Sequence, residues 1–141
     1  MTTTHDLPTV AGWWTERDID WRARVNGLPK KIEQKERRAR RADRKTLWAA
    51  FEQAKCATAK RPSRANPGAA VDSALAYVGS STCALAIVPL EDLTAEAEQP
   101  NLPGTINEHP NWRRRDRFRV PFDNTTVLMR VKRFVSARRT S

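Results

Sequence analysis

Pro100, Pro103 and Pro110 all fall within residues 98–115, Glu-Gln-Pro-Asn-Leu-Pro-Gly-Thr-Ile-Asn-Glu-His-Pro-Asn-Trp-Arg-Arg-Arg. Each proline removes a backbone donor and fixes φ, so the stretch can be neither a helix nor a central strand. It reads as a long ordered loop. Long ordered loops in a compact domain usually carry function, because a rigid scaffold is positioning them for something.

The flanking elements follow from periodicity. Residues 1–6 are short and Thr-rich, as at the end of a strand. Leu7-Pro8-Thr9 breaks the chain and Gly12-Trp13-Trp14 continues the break. Thr15 is the expected cap of a helix running to about Asn26, with Gly27 as its stop. Residues 31–55 are helical in pattern, since Ala39, Ala42, Leu47, Ala50, Phe51 and Ala54 recur at threes and fours. The first half of that stretch is nearly all charged, so only the second half is expected to pack firmly. Residues 57–67 form an internal linker, and 68–79 a short helix ending at Gly79. Cys83 to Leu90 is apolar at successive positions, as a strand covered on both faces must be. Thr125 to Arg138 reads as a last amphipathic helix with Val127, Leu128, Val131, Phe134 and Val135 on one side. Strand, helices, strand is the rhythm of a parallel α/β fold.

The 141 residues suffice for one domain with a core. The net charge of +10 is concentrated in two places. Residues 30–45 hold nine basic against three acidic residues, and 113–139 hold ten against two. The rest of the chain is net acidic, so the excess is local and reads as solvated helix surface. The alternative is a basic helical nucleic-acid-binding module, with Trp48 and Phe51 beside the charges of 30–45. Cys56 and Cys83 have no CxxC spacing, and His5 and His109 lie far apart, so no metal site is expected. Reduced thiols of a cytoplasmic protein are the expected state. No apolar run is long enough to span a membrane, and Met1–Asp6 has neither the basic nor the apolar region of a signal peptide.

The 98–115 loop closely resembles the loop near the C-terminus of the amylomaltases, the 4-alpha-glucanotransferases of glycoside hydrolase family 77. Thr4-His5-Asp6-Leu7-Pro8-Thr9 followed by Gly12-Trp13-Trp14 resembles the family's last catalytic segment, where a His-Asp pair ends a barrel strand. Both matches come in the family's order. The resemblance implies an α/β fold: the C-terminal portion of a (β/α)8 TIM barrel of the α-amylase-like clan, mostly helical here, with residues 1–141 one such portion. It implies transfer of α-1,4-glucan segments to a glucose or glucan 4-hydroxyl by retaining double displacement, with no cofactor. The implied partners are maltooligosaccharides, α-1,4-glucans and the N-terminal portion of the barrel, with no nucleic acid and no membrane.

A retaining transferase needs a carboxylate nucleophile and a carboxylic acid/base about 5 Å apart. By resemblance Asp6 is the clan's third carboxylate, which holds sugar hydroxyls, and His5 a donor to the same sugar. The segments carrying the nucleophile and acid/base would precede residue 1, so the chain alone is expected to be inactive. Glu91 and Asp92 follow the candidate strand but do not match the nucleophile segment, and read as loop and capping residues. Asn101 and Thr105 are expected to hydrogen-bond glucose hydroxyls, and Gly104 to let the backbone approach them. Trp112, in a segment resembling the family's Asn-Trp-Arg, is expected to be a core anchor. The arginines after it are expected to pair with acids of the preceding part.

Overall fold

A computed structural model describes residues 1–114 and 124–139. Among them lie six helices: α1 Val10–Thr15, α2 Arg17–Asn26, α3 Lys30–Gln53, α4 Gly68–Gly79, α5 Leu90–Thr94 and α6 Thr125–Arg139. Residue 115 of the proline-broken loop, and residues 115–123 of the second basic stretch, lie outside the described residues.

The helix expected after Thr15 is α2, and a further helix, α1, occupies Gly12-Trp13-Trp14, where the chain was expected to continue its break. Thr9 caps α1, accepting from the Gly12 backbone N–H at 2.9 Å. Glu16 then turns the chain with φ +68° and separates α1 from α2. Gly27, at φ +60°, ends α2 where the sequence placed its stop. Thr15 instead bonds back to the carbonyls of Ala11 and Gly12. A threonine inside a helix has those acceptors at hand, so its hydroxyl does not mark a start.

The core gathers where α1, α3 and α4 meet. Trp14, Trp48, Phe51, Ala70 and Ala74 form one buried cluster. Ala11, Val71 and Leu75 form a second, with Val88 and Leu93 packed on it. Trp14, on α1, is therefore buried in the core. α6 runs along α4, and Gly79 makes the approach possible: a Cβ there would lie 2.9 Å from the Phe134 carbonyl oxygen. The buried side of α6 is Val127 and Arg130, while Leu128 and Val135 are exposed. Arg130 belongs inside because its guanidinium reaches Asp72 and the Leu93 carbonyl, both at 2.8 Å. The apolar stripe expected from spacing is thus rotated by an ion pair.

α3 departs from expectation along its charged half. Arg40 grips Asp18 with two bonds, at 2.9 and 2.8 Å, and lies over the Trp13 ring. Arg44 and Arg37 reach Glu16 at 2.8 and 3.0 Å. That half is therefore docked on α2 by ion pairs. Apolar periodicity carries no signal for such ion pairs.

Neither expected strand is present among the described residues. Residues 1–4 have no regular structure and 5–6 form a turn, while 83–89 are irregular, with Leu85 73% and Ile87 49% exposed. A strand exists through its ladder, and here no neighbouring backbone pairs with 84–88 among the described residues. The Arg138 guanidinium instead takes the carbonyls of Ser81 and Cys83, at 2.7 and 2.8 Å.

Candidate functional site

The turn at His5-Asp6 is shaped by its own backbone. Leu7 N–H bonds to the Thr4 carbonyl at 3.1 Å, and the Thr3 hydroxyl donates to the Pro8 carbonyl at 2.9 Å. This projects both side chains outward, with His5 61% and Asp6 51% exposed and their Nε2 and Oδ2 3.3 Å apart.

The second wall is the proline-broken loop, and its inner scaffold is Asn111. Its Oδ1 accepts from Leu102 N–H at 2.9 Å and faces His109 Nδ1 at 2.7 Å. Its Nδ2 donates to the Thr105 carbonyl and hydroxyl at 3.1 and 2.8 Å. Since Oδ1 can only accept, His109 Nδ1 carries the proton, and its Nε2 is buried without a partner among the described residues. His109 is 1% exposed and meets Trp21 edge-on at 4.7 Å. It holds the loop against α2 rather than facing a ligand. Glu98 fastens the loop's start, taking Trp21 Nε1 at 2.6 Å and the guanidiniums of Arg17 and Arg114. Burial alone would raise the Glu98 carboxyl, but the bonds from Arg17 and Trp21 outweigh it and hold it low.

The loop delivers Asn101 to the turn. Asn101 Nδ2 donates to Asp6 Oδ1 at 2.6 Å. The carboxylate is therefore oriented by a partner 95 residues away in sequence. Thr105 is also built into the loop. Its hydroxyl donates to the Leu102 carbonyl at 2.7 Å and accepts from Asn111, so it is engaged inside the loop. Gly104 turns the chain at φ +81° with open space around it, so the turn itself is what requires a glycine. Trp112 is no core anchor. It is 65% exposed, sits 5.4 Å from the His5 ring, and is held at φ +56° with its N–H on the Pro100 carbonyl. Arg114 pairs with Glu98 of this chain, whereas acids of a preceding part were the expected partners.

Two clefts flank the turn. Asp6, Gln99 and Thr105 line one of about 420 Å³, and His5, Pro100 and Trp112 line one of about 880 Å³. A carboxylate and an imidazole at such a rim can bond vicinal sugar hydroxyls, and Trp112 offers an aromatic face beside them. No cluster of acids, histidines and cysteines fit for a metal occurs among the described residues. The two motifs are what pointed to this candidate site. Of its supports, Glu98 and Asn111 lie within the loop motif without any spacing that marks them as its scaffold, and Asp92 was expected to be a capping residue.

Comparison with known proteins bears on both walls at once. The family model described as 4-alpha-glucanotransferase, glycoside hydrolase family 77, matches residues 1–119. Proteins named 4-alpha-glucanotransferase from Mycobacterium bovis and from two strains of Mycobacterium tuberculosis are 33% identical over 117 residues. The alignment covers 79% of this chain and 15% of each relative.

Proposed function

The chain belongs to the 4-alpha-glucanotransferases of glycoside hydrolase family 77, and from that we propose that it is the C-terminal portion of the family's (β/α)8 catalytic barrel. In that setting it serves the retaining transfer of α-1,4-glucan segments to a sugar 4-hydroxyl. The observation that carries the reading is the 2.6 Å bond from Asn101 to Asp6. It joins the two segments on which the resemblance rests, 95 residues apart, at one rim.

Asp6 binds hydroxyls of the sugar whose glycosidic bond is cut. As that ring flattens toward an oxocarbenium ion, a fixed carboxylate interacts with it more strongly than with the relaxed chair. Asn101 supports this by fixing one carboxylate oxygen, leaving the other beside His5 for the sugar. The nucleophile and acid/base come from the rest of the barrel, so the chain alone is inactive. The apolar run 84–88, whose backbone has no ladder partner among the described residues, supports the same reading, as a strand whose neighbours lie elsewhere. Free Cys56 and Cys83 favour a cytoplasmic setting, and no helix among the described residues is long and apolar enough to cross a membrane. A nucleic-acid module is disfavoured because Arg37, Arg40 and Arg44 are spent on acids of the chain itself.

The test is a chimera in which this chain replaces the matching segment of a mycobacterial relative, assayed for disproportionation of maltotriose. The chimera should turn over and the chain alone should not. Asp6→Asn should lower kcat by about a hundredfold or more, about 3 kcal/mol, with a smaller change in KM. Near-normal turnover by Asp6→Asn would remove Asp6 from the site.

A further inference from the structure

We propose that Asp92 is a positioning residue: a single buried carboxylate that clamps both ends of the loop carrying His5 and Asp6. The proposal rests on the reading of that pair as sugar-facing. Asp92 is 0% exposed. One of its oxygens, Oδ2, accepts from the Thr2 hydroxyl, and the other, Oδ1, accepts from the Val10 backbone N–H at 2.8 Å. Residues 2 and 10 are the two feet of the loop. Val10 is also the first residue of α1, so the same carboxylate favours the positive end of that helix. Sequence reasoning gave Asp92 a capping role, and the geometry adds a second ligand from across the loop.

The loop needs such a grip because its tip is poorly packed. His5, Asp6 and Leu7 are all exposed, so apolar burial contributes little to their placement. Thr9 adds a bond from its hydroxyl to the Glu96 carbonyl at 2.6 Å, which ties the same foot to the chain just past α5. Asp92 is itself anchored. α6 holds α5 through the Arg130 bond to the Leu93 carbonyl, and Arg130 is fixed by Asp72 of α4. A continuous polar path therefore runs from the α4·α6 pair through α5 to the turn.

The experiment follows amide hydrogen exchange in the 141-residue chain with no sugar present. Asp92→Ala should speed exchange at Val10 and Leu7 about tenfold or more, while amides of α4 such as Leu75 keep their protection. Asp92→Asn should restore much of it, since its amide oxygen can accept from Val10 and its NH2 can donate to the Thr2 oxygen. Thr2→Val removes one foot only and leaves the buried acid in place, so it carries the test if Asp92→Ala does not fold. It should loosen Leu7 more than Val10. The clamp is overturned by unchanged exchange in these variants, by an unprotected Val10 in the parent chain, or by equal loosening of α4, which would make Asp92 a general core residue. In the chimera, Asp92→Ala should lower kcat more than it raises KM. If exchange responds and kcat does not, the clamp stands and the sugar-facing reading of His5-Asp6 falls.

Discussion

Glu16 gathers three arginines at one buried carboxylate. It is 2% exposed, sits at φ +68°, and receives Arg37, Arg44 and Arg64 at 2.8–3.0 Å. Its carboxylate closes the junction of α1, α2, α3 and the segment holding Arg64. Burial would raise this carboxyl, but hydrogen bonds from Arg37 and Arg44 and the charges of Arg64 and Arg44 hold it low. Removing it leaves Arg44 buried and unpaired, so Glu16→Ala should cost about 3–5 kcal/mol in urea unfolding. Glu16→Gly should cost about 1 kcal/mol less, because glycine adopts the left-handed backbone without strain. Equal losses in the two variants would mean that the backbone there is unstrained.

At the scale of elements, helix α1 is placed by a close approach. A Cβ on Gly12 would lie 2.4 Å from the Ala97 carbonyl oxygen, and that oxygen is backbone. Alanine raises helix propensity by about 1 kcal/mol over glycine. Here overpacking should outweigh it, so Gly12→Ala is expected to lose about 1–3 kcal/mol. Gly68 opens α4 with its nearest outside neighbour at 3.8 Å, so Gly68→Ala should be neutral or stabilising. Urea midpoints of the pair separate packing from propensity. The segment 83–89 is the counterpart, with no strand beside it among the described residues. Its backbone at 85–88, without a ladder there, and exposed Leu85 and Ile87 should drive self-association as concentration rises. Ile87→Lys should shift sedimentation toward monomer, and no shift would place the contact elsewhere.

Across the whole molecule, acid should loosen the fold. Glu16 and Glu98 are both held below their ordinary value of 4.5. A lowered carboxylate contributes stability that is full above that value and is lost as pH falls through its folded value. Asp92 runs the other way. Burial pushes it above 3.8, so its contribution is greatest below that value and fades as pH rises through its folded value. The urea midpoint should therefore fall as pH drops from about 4.5 toward the lower folded values of the two glutamates. In Asp92→Asn the acid limb should fall more steeply, since the opposing titration is gone. A midpoint that rises on acidification would reverse the balance assigned to these three groups.

The sequence by itself determined the family, through Thr4-His5-Asp6-Leu7-Pro8-Thr9 and the 98–115 loop, and most of the helices. Gly27 and Gly79 end α2 and α4 because chain stops are local, and prolines forbid regular structure in the loop whatever surrounds it. Only the tertiary structure decided what depends on partners distant in the chain. It brought Asn101 to Asp6, exposed Trp112, and turned Arg40, Arg44 and Arg130 inward. An arginine at an unremarkable helical position is identical in sequence whether it meets water or a buried acid, and Asp18, Glu16 and Asp72 settle which. For the same reason 83–89 carries a strand's composition without a strand's ladder: apolar side chains are encoded locally, and hydrogen bonds to a neighbouring backbone are not.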